Sequence, residues 1–439
     1  MIQALTNSFR LPDIRNKLIF TGLILIVYQF AAHVPVVGVD RGALDTLFQG
    51  QSGGLLGVLN LLSGGALQNF SVIANGVYPY ITASIILQVL IPVIPRLEAL
   101  SKEPGGREKI EMYTYYLAIP MAILQAVSQI QIFNSLGGGT SIIPGFGSDF
   151  MLTATVIIQM TAGSMFAIWL GSLITEQGIG NGLSIIIFAG IAARAPQSIA
   201  RMMGTSTQPL FNLIVFILIT VVTIVVVVII QEGVRRIPVQ YGKRVRGRKQ
   251  YGGASTHIPL KVNPVGMIPL IFAQSIITFP ALIVNLFPDG GLKTVINETF
   301  GSQQGLIYWG SYFALVVGFT FIYSDIMVGN QNLAENLQRN GGFIPGIRPG
   351  RKTQEYILKV TRRVTLVGAL FLGIIAIVPG VVEFIYRLLF PNEVISGSAN
   401  NPALVLTGSA LIIVVGVVVD TLRQLEAQLV MRNYDRFIR

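Results

Sequence analysis

The chain alternates between long apolar stretches and shorter polar segments. Ten stretches have about the length that crosses the hydrocarbon core of a bilayer as a helix, roughly 20 residues. They cover residues 18–37, 72–94, 112–132, 150–174, 183–200, 210–230, 265–287, 306–323, 364–384 and 403–419. The charged side chains lie between these stretches or at their ends, except Arg194 in the fifth. The pattern predicts an all-α polytopic membrane protein with ten transmembrane helices.

The distribution of basic residues predicts the orientation. With a cytoplasmic N-terminus, 26 of the 31 Lys and Arg residues fall on the cytoplasmic side, as the positive-inside rule requires. The fifth stretch is the weakest, because its apolar run stops before Arg194 and Pro196. Omitting it would invert the second half of the chain and place 19 basic residues outside. The fifth stretch is therefore retained, and both termini are predicted to be cytoplasmic.

The ten stretches divide into two groups of five. Residues 1–204 form the predicted N-terminal half, residues 205–424 the C-terminal half, and residues 425–439 a cytoplasmic tail. An odd number of spans in each half means that a structural repeat would have inverted topology, as in many transport proteins. The sequence shows no convincing repeat, so this symmetry follows from the count alone.

Two predicted cytoplasmic loops, residues 231–263 and 325–361, are longer than a helix connection requires. Each combines basic residues with turn-forming Gly and Pro, as in residues 241–249 and 341–350. This combination indicates ordered, finger-like hairpins rather than extended helices. Two interpretations remain open: the charges serve only topology and contact with anionic lipid, or the loops bind a large soluble partner.

Residues 53–70, on the predicted outer side, are too apolar for a plain loop and too short to span the membrane. The run is broken at residues 63–65, Ser-Gly-Gly, so it has the character of a half-helix. It either folds back into a protein-lined cavity or lies on the outer membrane surface.

Composition and motifs argue against catalysis and against ion-coupled transport. The net charge of +11 is first explained by topology and lipid headgroups, and the chain has no cysteine and only His33 and His257 as histidines. It contains no phosphate-binding loop and no zinc-protease motif. The 20 acidic residues lie between the spans or at their ends, whereas ion-coupled carriers usually place such groups within the membrane. A passive conduit without a cofactor is favoured; a secondary transporter with inverted repeats and a membrane enzyme are the alternatives.

Six motifs carry a resemblance to a known family. They are residues 60–67 (NLLSGGAL), 79–88 (PYITASIILQ), 178–182 (GIGNG), 255–263 (STHIPLKVN), 342–350 (GFIPGIRPG) and 419–422 (VDTL). With these motifs in this order, the chain resembles the SecY family, the central channel subunits of the bacterial Sec protein translocase, over essentially its whole length. The resemblance implies an hourglass pore between two five-helix halves, closed outside by a plug and able to open sideways into lipid.

The resemblance also implies site residues. An apolar constriction ring is implied at Val77, Ile81, Leu183, Ile187, Ile271 and Ile413. The plug is implied at about residues 55–69, including Leu55, Leu59, Asn60, Leu62, Ser63, Gly64 and Gly65, which favours the re-entrant interpretation of this segment. A lateral gate between the second span and the seventh and eighth spans is implied to be bridged by Thr82, Ser84, Gln88, Gln125 and Gln274.

The partners implied by the resemblance are SecE and SecG subunits, the motor ATPase SecA, the ribosome, signal sequences and nascent polypeptides, and membrane lipid. SecA and the ribosome would bind the two long loops, at Arg244, Arg246, Arg248, Lys249 and Arg348. An acidic residue is expected after Arg-Pro-Gly in this family, and Arg351 departs from that pattern. The implied location is the bacterial plasma membrane, with a protein-conducting channel that catalyses no covalent chemistry.

Overall fold

The computed structural model describes residues 11–44, 63, 66–91, 93–103, 105–136, 142–205, 209–241, 244–246, 249–251, 255–284, 287, 290–301, 305–330, 333–389 and 409–438. Its helices in the first half are α1 (Pro12–Ala31), a 3₁₀ turn (Ala66–Asn69), α2 (Tyr78–Leu90), α3 (Pro95–Lys102), α4 (Gly106–Leu136), α5 (Phe150–Gln177) and α6 (Gly182–Thr205). Those in the second half are α7 (Pro209–Glu232), α8 (Ile268–Val284), α9 (Gly291–Ile296), a π turn (Asn297–Gly301), α10 (Leu306–Asn330), α11 (Leu333–Arg339), α12 (Arg351–Leu389) and α13 (Ser409–Ile438).

The described chain is mostly helical, and much of it is suited to a membrane. Five described helices are long and apolar enough to cross a bilayer: Pro12–Ala31, Glu108–Asn134, Phe150–Gln177, Leu306–Met327 and Arg351–Val378. The bent pair of α2 and α3 makes a sixth if it is counted as one span. Three shorter apolar helices, at Gly182–Ala193, Phe216–Glu232 and Ile268–Val284, overlap the predicted fifth, sixth and seventh spans.

The second predicted span begins later in the structure than the apolar pattern indicates. Residues 72–77 form turns, and α2 starts only at Tyr78. Gly76 has a positive φ of 55°, a conformation that glycine adopts without steric cost, and Pro79 occupies the first turn of the helix. Apolar character alone did not reveal this turn, because residues 72–77 include Val72, Ile73 and Ala74.

The weak fifth span is a continuous helix. Helix α6 runs from Gly182 through Arg194 and Pro196 to Thr205. The proline therefore does not end the helix, and the helix extends beyond the predicted limit at residue 200.

The two long loops contain strands, which the all-α prediction omits. Strands β1 (Val234–Tyr241), β4 (Ser255–Lys261) and β5 (Gly342–Phe343) form an antiparallel sheet in the order β4-β1-β5, and β2 (Arg244–Arg246) pairs with β3 (Lys249–Tyr251). Ile237 pairs with Ile258, and Gln240 pairs with Phe343. The predicted hairpin in the first loop is confirmed, and β5 shows that the second loop adds a strand to the same sheet.

The predicted limits of the second loop, residues 325–361, were wrong at both ends. Residues 325–330 belong to α10, and residues 351–361 form the first three turns of α12. This segment is rich in helix-forming residues, and Arg351 forms an i,i+4 ion pair with Glu355 at 3.2 Å. The turn residues that indicated a hairpin end at Gly350, where a positive φ of 103° precedes the helix.

Two hydrophobic clusters join the halves of the chain. The larger cluster, here the central cluster, contains buried side chains of α2, α6, α8, α10, α12 and α13. A second cluster, here the outer cluster, packs Phe70, Tyr78 and Phe133 of the first half with Ala281 and Leu282 of α8. The two halves therefore contact each other through apolar side chains.

Candidate functional site

The six residues of the implied constriction ring lie together in the central cluster. Val77, Ile81, Ile187, Ile271 and Ile413 are buried there, and Leu183 is half-buried and packs against it. The six side chains come from four places: the start of α2, the start of α6, the start of α8 and the start of α13. Two of these helices belong to each predicted half, so the structure brings together residues that are up to 336 positions apart in sequence.

Glycines of the GIGNG motif determine where Leu183 lies. A Cβ atom at Gly182 would overlap the carbonyl oxygen of Gly171, so only glycine permits this approach of α6 to α5. The backbone N–H of Gly182 donates to Thr175 Oγ1 at 2.9 Å. Gly180 has a positive φ of 84°. The motif is thus a tight turn, as predicted, and it packs Leu183 against α5.

Four of the five predicted gate residues form two hydrogen-bonded pairs on one side of the gate, and Gln88 also interacts with Tyr323 of α10. Gln125 Nε2 donates to Thr82 Oγ1 at 3.3 Å, which joins α4 to α2. Gln88 Nε2 donates to Ser84 Oγ at 2.8 Å within α2. The fifth residue, Gln274, donates to the hydroxyl of Tyr308 at 3.2 Å, which joins α8 to α10. None of these three bonds connects α2 to α8 or α10, so bridging by these residues stays a prediction.

The hydrogen bonds that do connect α2 to α8 come from Tyr78, a residue that sequence reasoning missed. Its hydroxyl lies 2.8 Å from the carbonyl oxygen of Ser275 and 2.8 Å from Thr278 Oγ1. All three residues are buried, with 1%, 0% and 1% of their surface exposed. A tyrosine within a predicted span was a usable signal, because a buried hydroxyl normally has a hydrogen-bond partner.

Further aromatic side chains line the contact between α2 and α10. Tyr323 of α10 lies close to both Tyr80 and Gln88 of α2. Its ring also packs edge-on against Phe272 of α8, with 5.2 Å between ring centroids. The face formed by α2 against α8 and α10, here called the gate face, is therefore mainly aromatic and aliphatic with a few polar groups.

Of the implied plug residues, Ser63 lies within the described residues; Leu55, Leu59, Asn60, Leu62, Gly64 and Gly65 lie outside them. Ser63 is buried, and its carbonyl oxygen accepts a 2.9 Å hydrogen bond from the hydroxyl of Tyr28 on α1. Ser63 Oγ accepts from the backbone N–H of Leu67 at 3.2 Å. Phe70, which ends this segment, has a positive φ of 40° and is fully buried. The segment is thus attached to α1 and ends at a strained residue.

The predicted docking residues lie on the strands and turns of the two long loops. Arg244, Arg246 and Lys249 lie on β2 and β3, and Arg248 lies outside the described residues. Arg348 is exposed in the turn that follows β5. Its carbonyl oxygen accepts a 2.9 Å hydrogen bond from Thr353 Oγ1, so the first turn of α12 holds the backbone of this turn in place.

Comparisons with known proteins agree with this architecture. The sequence model of the SecY family matches residues 71–422. A protein translocase subunit SecY from Streptomyces galbus is 41% identical over 454 aligned residues, which cover 100% of both chains.

Solved structures share the fold. A SecY protein, in a study of how its plug domain stabilises the closed state of the translocation channel, has a TM-score of 0.64, 19% identity, and coverage of 94% of this chain and 92% of the other. The channel of a canine ribosome–channel complex from the endoplasmic reticulum has a TM-score of 0.61 and 17% identity, with the same coverage of both chains. Because the family model covers most of the sequence and a relative is 41% identical over its whole length, the chain belongs to the SecY family.

Proposed function

We propose that this chain is the protein-conducting channel subunit of a bacterial Sec translocase. It passes unfolded secretory polypeptides across the membrane and releases membrane helices sideways into lipid. Ten transmembrane helices, in two inverted five-helix halves, surround the pore. The observation that carries this proposal is the convergence of Val77, Ile81, Leu183, Ile187, Ile271 and Ile413, from both halves of the chain, in one hydrophobic cluster.

The ring works as an apolar seal. A narrow apolar constriction disfavours water and ions, because neither finds hydrogen-bond partners there. Apolar contacts are non-directional, so the aliphatic side chains can close around translocating segments of different widths. The resting channel is thereby closed to ions without needing a fixed charge in the pathway.

The plug and the gate face complete the resting state. The segment at about residues 55–69 covers the ring from outside, and its attachment through Tyr28 and Ser63 supports this placement. Separation of α2 from α8 and α10 opens a path to lipid for a signal sequence or a membrane helix. Thr82, Ser84, Gln88, Gln125 and Gln274 supply polar groups beside this path, where hydrogen bonds between helices are worth about 0.6 to 2 kcal/mol each.

The channel does no covalent chemistry itself, and its energy comes from partners. SecA and the ribosome bind the cytoplasmic sheet and turns through Arg244, Arg246, Arg248, Lys249 and Arg348, while SecE clamps the halves and SecG lies at the periphery. One fold neighbour is a channel in complex with a ribosome, which supports a ribosome-binding role. The chain lies in the bacterial plasma membrane with both termini in the cytoplasm. The relatives reported above are translocase subunits, so a secondary transporter is not favoured.

Substitution of ring residues tests the proposal. In reconstituted vesicles, Ile81→Asn and Ile271→Asn should each raise ion leak and increase translocation of substrates with defective signal sequences, because an amide side chain hydrates the constriction. The matched control is Val89→Asn on α2, a position whose side chain is 47% exposed on the surface of the chain. Unchanged leak and unchanged signal selectivity in both ring variants, with normal expression, would exclude these positions from the pore.

A further inference from the structure

We infer that the hydroxyl of Tyr78 is a latch across the gate face and sets how strictly the channel selects signal sequences. This inference deepens the proposed function and rests on it. It assigns a positioning role to Tyr78, which lies between the ring residues Val77 and Ile81 but is not itself part of the ring.

The geometry of the contact is that of a firm hydrogen-bonded link. The Tyr78 hydroxyl lies 2.8 Å from both Ser275 O and Thr278 Oγ1, within the usual range for O–H···O bonds. These two residues follow Ile271, the ring residue of α8, by one and two helical turns. The link therefore joins α2 to α8 beside the constriction and not at a distant end of either helix.

The protons of the Tyr78 and Thr278 hydroxyls can be arranged in two ways, and in each at least one hydrogen bond crosses the gate face. Each hydroxyl has a single proton to donate. Thr278 Oγ1 also lies 3.0 Å from the carbonyl oxygens of Gln274 and Ser275 in its own helix. If Thr278 donates within α8, then Tyr78 donates across to α8. If Thr278 instead donates to Tyr78, the tyrosine proton remains available for Ser275 O, and two bonds cross.

The position of Tyr78 makes this link sensitive to movement of α2. Tyr78 is the first residue of α2, held between the turn at Gly76 and Pro79. A hydrogen bond of 2.8 Å is lost once the donor and acceptor move apart by more than a few tenths of an ångström. Opening the gate face must therefore break the link before water or lipid reaches the freed groups, and such buried groups are costly to leave unpaired.

The matched control is another tyrosine in the same protein. Tyr312 on α10 is also buried, with 1% of its surface exposed, and its hydroxyl has no hydrogen-bond partner within the described part of the chain. Tyr312→Phe and Tyr78→Phe remove the same atom from equally buried sites. They differ in that Tyr78→Phe also removes hydrogen bonds across the gate face.

The experiment measures translocation of a substrate with a defective signal sequence, relative to one with an intact sequence, by the full-length channel in reconstituted vesicles. Tyr78→Phe should raise this ratio about threefold, the factor that corresponds to an average hydrogen bond between membrane helices. Thr278→Val should raise it as well. The double variant Tyr78→Phe, Thr278→Val should raise the ratio by less than the product of the two single-variant factors, because both substitutions remove part of one link. Tyr312→Phe should leave the ratio unchanged.

A second measurement follows the gate face directly. The native chain has no cysteine, so spin labels attached at Val89 of α2 and Ile322 of α10, which are 47% and 50% exposed, report the distance between these helices. Tyr78→Phe should increase the population with the longer distance in the absence of substrate. If Tyr78→Phe matches Tyr312→Phe in both measurements, the latch is refuted. Failure of the unmodified channel to translocate the intact substrate would instead contradict the proposed function.

Discussion

Arg423 of α13 is bonded to Glu232 at the end of α7. Its Nε and Nη2 atoms donate to the same carboxylate oxygen of Glu232, at 3.1 Å and 2.9 Å, and Nη2 also donates to the carbonyl oxygen of Gln231. The arginine thus pairs with both a side chain and a C-terminal carbonyl of α7, a group that has no partner within its own helix. Helix α13 also carries Ile413, a residue of the proposed constriction ring, so this contact ties that helix to α7.

Substitutions should separate the ion pair of Arg423 with Glu232 from its hydrogen bond to the carbonyl oxygen of Gln231. Glu232→Gln should lower the free energy of unfolding by less than about 1 kcal/mol, because the pair is partly exposed. Arg423→Met should cost about 1 to 3 kcal/mol, since it also leaves the carbonyl of Gln231 unpaired. Chemical unfolding of the purified protein in detergent measures both. The exposed pair of Arg339 with Glu335 provides the control, and equal effects for Arg423→Met and Arg339→Met would contradict this interpretation.

The predicted topology can be tested by labelling single cysteines, because the native chain has none. His257→Cys on β4 and Arg351→Cys at the start of α12 should react with an impermeant reagent only from the cytoplasmic side. Ser148→Cys, exposed before α5, should react only from outside. Equal reactivity of His257→Cys and Ser148→Cys from one side of intact cells would contradict the proposed arrangement of the spans.

Arg348 is expected to bind a partner through the shape of its guanidinium group as well as through its charge. Its turn is held by Thr353 and flanked by Gly346 and Gly350, both with positive φ. Arg348→Glu should abolish SecA-driven translocation, and Arg348→Lys should reduce it, because lysine cannot pair bidentately with a carboxylate.

The control for this prediction is Arg351→Lys, an exposed position three residues away that already departs from the family pattern. Insertion and topology should be normal in all three variants, since other basic residues remain in the loop. Normal SecA-dependent translocation by the Arg348→Glu protein would leave only the topological role for this arginine.

Tyr28 is expected to stabilise the closed position of the plug. Its hydroxyl donates to the carbonyl oxygen of Ser63 at 2.9 Å, and both residues are 1% exposed. Tyr28→Phe should remove about 0.6 to 2 kcal/mol of this attachment and raise the frequency of brief ion-conducting openings. Conductance of single channels in planar bilayers measures the effect. If the openings remain as rare as in the unmodified channel and in Tyr312→Phe, the hydrogen bond does not hold the plug.

Much of the helical architecture could be predicted because it depends on composition and local turn chemistry. The predicted span at residues 150–174 corresponds closely to α5, which begins after Asp149, whose side chain accepts from the backbone N–H of Met151 at 2.9 Å. The hairpin of β1 with β4 was likewise predicted from basic, Gly-rich turn residues. The limits of α2 and α12 were not predicted. A tight turn interrupts the apolar run before α2, and polar residues extend α12 beyond its predicted span.

Contacts between distant parts of the chain depended on the tertiary structure. Motif similarity predicted the ring residues, and their membership of one cluster is a property of how α2, α6, α8 and α13 pack. Polar residue type suggested Gln125 and Gln274 as bridges across the gate face, whereas helix rotation directs them to Thr82 and Tyr308 on the same side.

The sequence by itself determined the multi-pass membrane character, the number of apolar stretches and the family, and it predicts an orientation, because hydrophobicity, basic residues and motifs are local properties of the chain. Only the tertiary structure decided that the two long loops share one sheet and that Tyr78 joins α2 to α8. The physical reason is that a hydrogen bond depends on distance and direction within a few tenths of an ångström. The packing of whole helices sets this distance and direction, and no short stretch of sequence specifies that packing.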